Sequence, residues 1–144
     1  MSALAEALAQ ARATQSWDLL LTAIPYARFL GLRAQNHGEL VRLHLPFKPS
    51  LVGNPRVPAL HGGVVGACLE MAALLQILQE RGVSQVPKTV DFTVDYLRAA
   101  RATDLFAEAD VQRLGRRIVN VRMRAFQTVP EEPIALARGN FLVD

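Results

Sequence analysis

The stretch Val64–Leu78 reads V-V-G-A-C-L-E-M-A-A-L-L-Q-I-L and constrains this chain more than any other part of it. Its length and residue types predict a helix that is apolar on every side rather than along one stripe. Such a helix is stable only where other elements enclose it, so the rest of the chain must supply a wrapping layer. One side chain conflicts with that setting: Glu70 is the only charged residue of the stretch. A carboxylate there must find a partner, take up a proton or face a cavity. Two readings stay open at this point. Glu70 is either a structural residue paired with an arginine at a subunit interface, or an acid kept for chemistry.

The flanking sequence contains the wrapping layer. Glu39–Pro46 alternates, with Val41, Leu43 and Leu45 on one side, and is a predicted strand. Lys88–Leu97 sets Val90, Phe92, Val94 and Tyr96 against Asp91, Thr93 and Asp95, and Leu105–Val111, Ile118–Ala125 and Ile134–Val143 alternate likewise. Short turns at 98–104, 114–116 and 129–133 lead to the expectation that consecutive strands pair antiparallel. Residues 46–60, with four prolines and Gly53, read as an ordered loop. The helix starts after His61-Gly62-Gly63 and runs to about Arg81, where Gly82 is the expected stop. Apolar spacing predicts a further helix over 3–22, ended by Pro25. The expected class is α+β, one antiparallel sheet around a buried helix. Residues 1–24 form an N-terminal helical extension and 25–144 the main domain.

Composition excludes several classes. With 51% hydrophobic and 20% charged residues, the 144-residue chain can bury a single core and is not disordered. Its apolar content exceeds what a small monomer hides easily, which favours a subunit interface. A lone cysteine, Cys68, excludes a disulfide framework and fits a reducing compartment. The first 23 residues lack the basic start and apolar run of a signal peptide, and the stretch around Val64 is too short and too interrupted to span a bilayer. A cytoplasmic protein without membrane partners is therefore expected. Net charge is +3, but only two of the 16 basic residues are lysines. Arginine forks suit phosphates. Nucleic acid is not the expected partner, because no basic cluster is interleaved with aromatics.

His61-Gly62-Gly63 is the second unusual feature. The first turn of a helix carries N–H groups without intrahelical acceptors, and its end of the macrodipole is positive. Two glycines leave those donors open to a ligand. Such a site suits an oxyanion or a polarised carbonyl. Gly62 and Glu70 are separated by roughly 12 Å along one helix, at 1.5 Å per residue. One substrate carbonyl cannot reach both. Joint action therefore calls for two antiparallel copies of the helix, as in a two-fold dimer.

Leu60-His61-Gly62-Gly63, followed by an acid nine residues after the histidine, resembles the hotdog-fold acyl-CoA thioesterases. The closest likeness is to the phenylacetate-pathway type within the 4-hydroxybenzoyl-CoA thioesterase superfamily. Thr89-Val-Asp-Phe-Thr-Val-Asp-Tyr-Leu-Arg98 is similar to that family's central strand, and Arg113-Leu-Gly-Arg-Arg117 to the turn before its next strand. The resemblance covers roughly residues 25–143. It implies a sheet wrapped around a central helix, assembled as a homodimer or a dimer of dimers, and hydrolysis of acyl-CoA to a free acid and CoA. It implies Glu70 as nucleophile or general base, with the Gly62 N–H, alone or with that of Gly63, as oxyanion donor from the opposite protomer. His61 would shape the turn, Asn54 would help position the thioester or water, and Thr89 would orient water. Glu70 stands where the phenylacetate type usually carries Asp. Asn54 precedes His61 by a longer interval than is common, with Pro-Arg-Val-Pro-Ala between.

Coenzyme A enters only as part of the substrate; no cofactor and no metal is expected. His37 and His44 lack partners at ligand spacing. Arg98, Arg113, Arg116 and Arg117, with Gly115 in the turn, are the candidates for the CoA phosphates. The bland reading of each is a solvated surface arginine. Cys68 reads as apolar filler. The rival function is a non-catalytic acyl-CoA binding or sensing module on the same fold, which would not need the buried acid.

Overall fold

The structure, a computed structural model, describes residues 2–144. Three helices open the chain: α1 (Ala3–Thr14), α2 (Trp17–Ala23) and α3 (Pro25–Leu30). The single helix expected over 3–22 is broken at Gln15, which adopts the left-handed conformation (φ 54°) and donates its N–H to the Ala11 and Arg12 carbonyls. Pro25 does not end a helix but begins α3 at its first turn, where a missing N–H costs nothing. Gly31, at φ 78°, ends α3.

Strands β1 (Arg33–His37) and β2 (Leu40–Leu45) follow as a hairpin. The 46–60 segment holds a 3-10 turn (Pro49–Leu51) and the short strands β3 (Val52–Asn54) and β4 (Ala59–Leu60), which pair with each other. Then come helix α4 (Gly62–Glu80) and strands β5 (Lys88–Tyr96), β6 (Leu105–Leu114), β7 (Ile118–Phe126) and β8 (Ala135–Leu142). The main sheet is six-stranded and antiparallel throughout, in the order β1-β2-β6-β7-β8-β5. Consecutive pairing holds for β6, β7 and β8. It fails for β5, which crosses over to the far edge and pairs with β8 instead of β6. The extended link after Tyr96, with the Leu97 and Arg98 N–H groups both donating to the Ile134 carbonyl, carries the chain past β8.

The sheet wraps α4, which is the hotdog architecture. Leu69, Leu75, Ile77 and Leu78 of the helix are fully buried among Leu43, Leu45, Leu105 and Phe141 of the sheet. α4 is the one helix among the described residues long and apolar enough to cross a membrane, and most of it lies inside this core. Its one buried polar side chain, Gln76, is fully used. Its carbonyl accepts from the Val41 N–H at 2.9 Å, and its amide donates to the Glu39 carbonyl and the Glu80 carboxylate at 2.9 Å.

The helix ends one residue before the expected glycine, at Arg81, whose backbone is extended. Gly82 has no left-handed φ. The capping comes from α1: the Arg12 guanidinium donates to the carbonyls of Leu78 (2.9 Å), Arg81 (3.0 Å) and Val83 (3.2 Å). A cation at a helix C-terminus is favourable against the macrodipole. Trp17 flanks it, its ring 5.8 Å from the Arg12 guanidinium and its Nε1–H on Gln79 at 2.8 Å.

Candidate active site

His61 caps the N-terminus of α4 with its side chain: Nδ1 accepts from the Gly63 N–H at 2.9 Å. The His61 N–H is itself fixed on the Leu51 carbonyl at 2.9 Å, and the His61 carbonyl receives Val64 and Val65. Gly53 allows this close approach, since a Cβ there would lie 3.0 Å from His61 Cα. The Gly62 carbonyl accepts from the Tyr96 hydroxyl at 2.7 Å, and the Tyr96 ring edge lies against Gly62, with its hydroxyl also facing Gly66. The peptide between Gly62 and Gly63 is thus held at both its carbonyl and its N–H. The Gly62 N–H, one position earlier, has no acceptor among the described residues. Of the two candidate donors only that of Gly62 is free.

Glu70 lies two turns along α4, half-buried. Thr89 Oγ1 donates to Glu70 Oε2 at 2.7 Å. No cation lies within ion-pair distance of Glu70 among the described residues, so the arginine partner of the bland reading is not found within this chain. Glu70 and Thr89, named separately from the sequence, are in direct contact.

The remaining candidates lie apart from this pair. Asn54 ends β3 and is exposed; its Oδ1 accepts from the Arg56 N–H at 3.0 Å, which shapes the turn toward β4. Arg98 is exposed just beyond β5. Arg113 near the end of β6 and Gly115, Arg116 and Arg117 in the β6–β7 turn line an open groove with Ile118, Asn120 and Asn140. Gly115 is required there, because a Cβ would run into the Ile118 carbonyl. Arg81, at the C-terminal end of α4, holds this turn by donating to the Gly115 and Arg116 carbonyls, the latter at 2.8 Å. Arg116 and Arg117 make no ion pair among the described residues.

Cys68 is buried in α4, and loss of solvation pushes its thiol up to about 12, so it is unsuited to act as a nucleophile. The hydroxyl link from Tyr96 to Gly62 was not legible in the sequence, where Tyr96 reads as a residue that packs on the helix or lines an acyl pocket. A partner 34 positions away leaves no local signal. Glu108 also escaped notice. It is buried on the outer face of the sheet against Arg42 Nε at 2.6 Å, with Arg124 at 3.8 Å, and forms a cross-strand ion pair remote from Glu70.

The chain is similar in sequence and in fold to known proteins. The chain is 28% identical over 120 residues to the medium/long-chain acyl-CoA thioesterase YigI of Escherichia coli, covering 74% of this chain and 77% of that one. A crystal structure from Chromobacterium violaceum matches at 33% identity with a TM-score of 0.77, covering 95% of this chain and 96% of that one. A protein from Bacillus halodurans solved with CoA matches in fold, with a TM-score of 0.76 at 20% identity over 98% of this chain and 91% of that one. The profile of the Thioesterase superfamily matches residues 58–134, from the loop before α4 to the start of β8. With that match spanning more than half its length, the chain belongs to the thioesterase superfamily and is a thioester hydrolase.

Proposed function

We propose that this chain hydrolyses acyl-CoA thioesters to the free acid and CoA, with Glu70 as the reacting carboxylate. The observation that carries the reading is the Thr89–Glu70 hydrogen bond at 2.7 Å, midway along a helix whose N-terminus presents a free N–H at Gly62. Acting as a base, Glu70 takes a proton from water while the oxygen bonds to the thioester carbonyl. Acting as a nucleophile, its own oxygen bonds there and water cleaves the resulting anhydride. In both routes the Gly62 N–H receives the oxyanion, and collapse of the adduct breaks the C–S bond and releases the CoA thiolate. Thr89 orients Glu70, and Gly63 is left to the His61 cap.

A second copy of the chain completes the site in this reading. β5 is an edge strand with one side unpaired, and Val90 and Tyr96 are each 56% exposed on it. An open edge of this length invites an antiparallel strand. A two-fold axis near Thr93 would set Thr89 opposite the partner's Tyr96, and with it Glu70 beside the partner's Gly62. The same pairing would bring the partner's Arg98 toward the end of β5 where Arg113, Arg116 and Arg117 stand, a cluster suited to the CoA phosphates. The likeness to YigI and the apolar inner face of β5 (Phe92, Val94) favour an aliphatic acyl chain of medium or greater length.

The test is thiol release from purified protein over short, aryl and medium-to-long acyl-CoAs. Glu70→Gln is expected to lower kcat by about 10²–10⁴-fold, the usual worth of a positioned acid–base group. Retention of full activity at unchanged stability would remove Glu70 from the mechanism. Binding of acyl-CoA without turnover by the unmodified protein would replace hydrolysis with a sensing role.

A further inference from the structure

Thr89 should not face Glu70. In the β5 sequence it alternates in step with Asp91, Thr93 and Asp95, whereas Val90, Phe92, Val94 and Tyr96 alternate together. From Tyr96↔Ala135 to Phe92↔Gly139 the ladder with β8 is regular, and Phe92, Val94 and Tyr96 lie opposite residues that are buried on the helix side. Continued without interruption, that register would put Val90 opposite Phe141 and turn Thr89 to the outer face. Instead Asp91 pairs with Asn140 and Thr89 with Phe141, so Val90 is an extra residue and Thr89 takes the inner position. One inserted residue reverses the facing of everything before it.

Two contacts hold the irregularity in place. The Asp91 carboxylate accepts from both the backbone N–H (3.2 Å) and the side-chain amide (2.9 Å) of Asn140, and the Asn140 side-chain Oδ1 in turn accepts from the Asn120 amide at 2.9 Å. Across the ladder, the Asp91 backbone carbonyl leans over Gly139, where a Cβ would lie only 2.8 Å from that oxygen and 3.2 Å from the Phe141 ring. Any side chain at residue 139 would push the bulged backbone away.

We infer that the bulge at Val90, clamped by Asp91 and Asn140 and admitted by Gly139, is a positioning device that turns the Thr89 hydroxyl onto Glu70. The inference rests on the reading of Glu70 as the reacting carboxylate. A bulge that served only to blunt the sheet edge would have no need of a hydroxyl at the redirected position. Asp91, Asn140 and Gly139 are positioning residues: they act on Glu70 through Thr89.

The experiment measures kcat and KM for thiol release by the full chain, with circular dichroism as the check on folding. Thr89→Val sets the loss due to the missing hydroxyl. Gly139→Ala is expected to lower kcat at least tenfold toward that level, with KM within about twofold. The double variant Gly139→Ala/Val90→Thr is expected to regain most of the loss, because a straightened ladder turns residue 90 inward. Should Gly139→Ala fail to fold, Asp91→Ala is expected to give the same kcat loss and Asp91→Asn to retain activity, since an Asn oxygen still accepts from Asn140. Unchanged kcat in both Gly139→Ala and Asp91→Ala would overturn the inference. So would equal losses in Gly139→Ala with and without threonine at 90. Loss of activity in Glu70→Gln alongside either result would leave the hydrolase reading intact, whereas an active Glu70→Gln would remove that reading first.

Discussion

Arg12→Ala should destabilise the protein far more than a substitution on a short terminal helix ordinarily does. The guanidinium donates three hydrogen bonds, at 2.9, 3.0 and 3.2 Å, to the carbonyls of Leu78 in the last turn of α4, Arg81 at its C-cap and Val83 just beyond. Hydrogen bonds from a charged donor contribute about 1.5–3 kcal/mol each when buried. These are only partly buried, and water can replace some of them in the variant, so the lower part of that range applies to the set. The favourable macrodipole contact adds about 0.3–1 kcal/mol, and the Trp17 ring about 0.5–1 kcal/mol. The expected net loss is about 2–4 kcal/mol after allowance for solvation of the freed carbonyls. At roughly 2–4 °C per kcal/mol for a chain of this size, the midpoint of a thermal melt should fall by about 5–15 °C. Urea unfolding followed by circular dichroism measures the free energy directly. Arg12→Lys should recover only a fraction, because one ammonium cannot span three carbonyls. A loss below about 0.5 kcal/mol, the range of ordinary surface substitutions, would refute the capping argument and leave Arg12 a solvated residue.

Other outcomes follow from the same geometry. Tyr96→Phe deletes the hydroxyl bond to the Gly62 carbonyl; at about 0.5–1.5 kcal/mol for such a bond, kcat should fall roughly 2–10-fold with little change in KM, read by thiol release. Asp104 has its carboxyl held below the usual range, first by the Phe47 N–H and then by His44. Its folded-state pKa is depressed, so its contribution to stability is present at neutral pH and is lost as pH falls through that lowered value. The stability gap between wild type and Asp104→Ala, measured by urea unfolding, should therefore be full at pH 7 and close in strong acid.

Local signals carried much of this fold, and the failures share a physical origin. Helix α4 and its lone acid were legible because burial on all sides leaves a compositional mark within a single stretch of chain. Strands β2, β6, β7 and β8 were legible because each buries one face, and alternation records that. β1 was missed: Arg33–His37 is a polar edge strand with almost no buried side chain, and nothing in its sequence alternates. The break at Gln15 was missed because a non-glycine residue in the left-handed region has no signature when capping from a neighbouring turn stabilises it. The position of β5 beside β8 depends on how the link after Tyr96 travels, which is a long-range matter. At the site, Glu70, Thr89 and the glycine pair could be named individually. The division of labour between Gly62 and Gly63 could not, since it turns on which N–H the His61 ring reaches. Nor could the facing of Thr89, because simple alternation predicts the opposite side of the sheet.

Helix α4 behaves as a rigid rod about 28 Å long, at 1.5 Å per residue. It carries the free N–H at Gly62 near its start and the Thr89-bound carboxylate of Glu70 along its length. At its far end Arg81 grips the arginine-bearing β6–β7 turn, while Arg12 pins the terminus to α1. A tilt of this rod therefore displaces the Gly62 N–H, the Glu70 carboxylate and the basic turn together, by amounts that grow with distance from the pivot. The N-terminal helix, though far from Gly62, holds that pivot, so the displacement is least at the basic turn and greatest at Gly62.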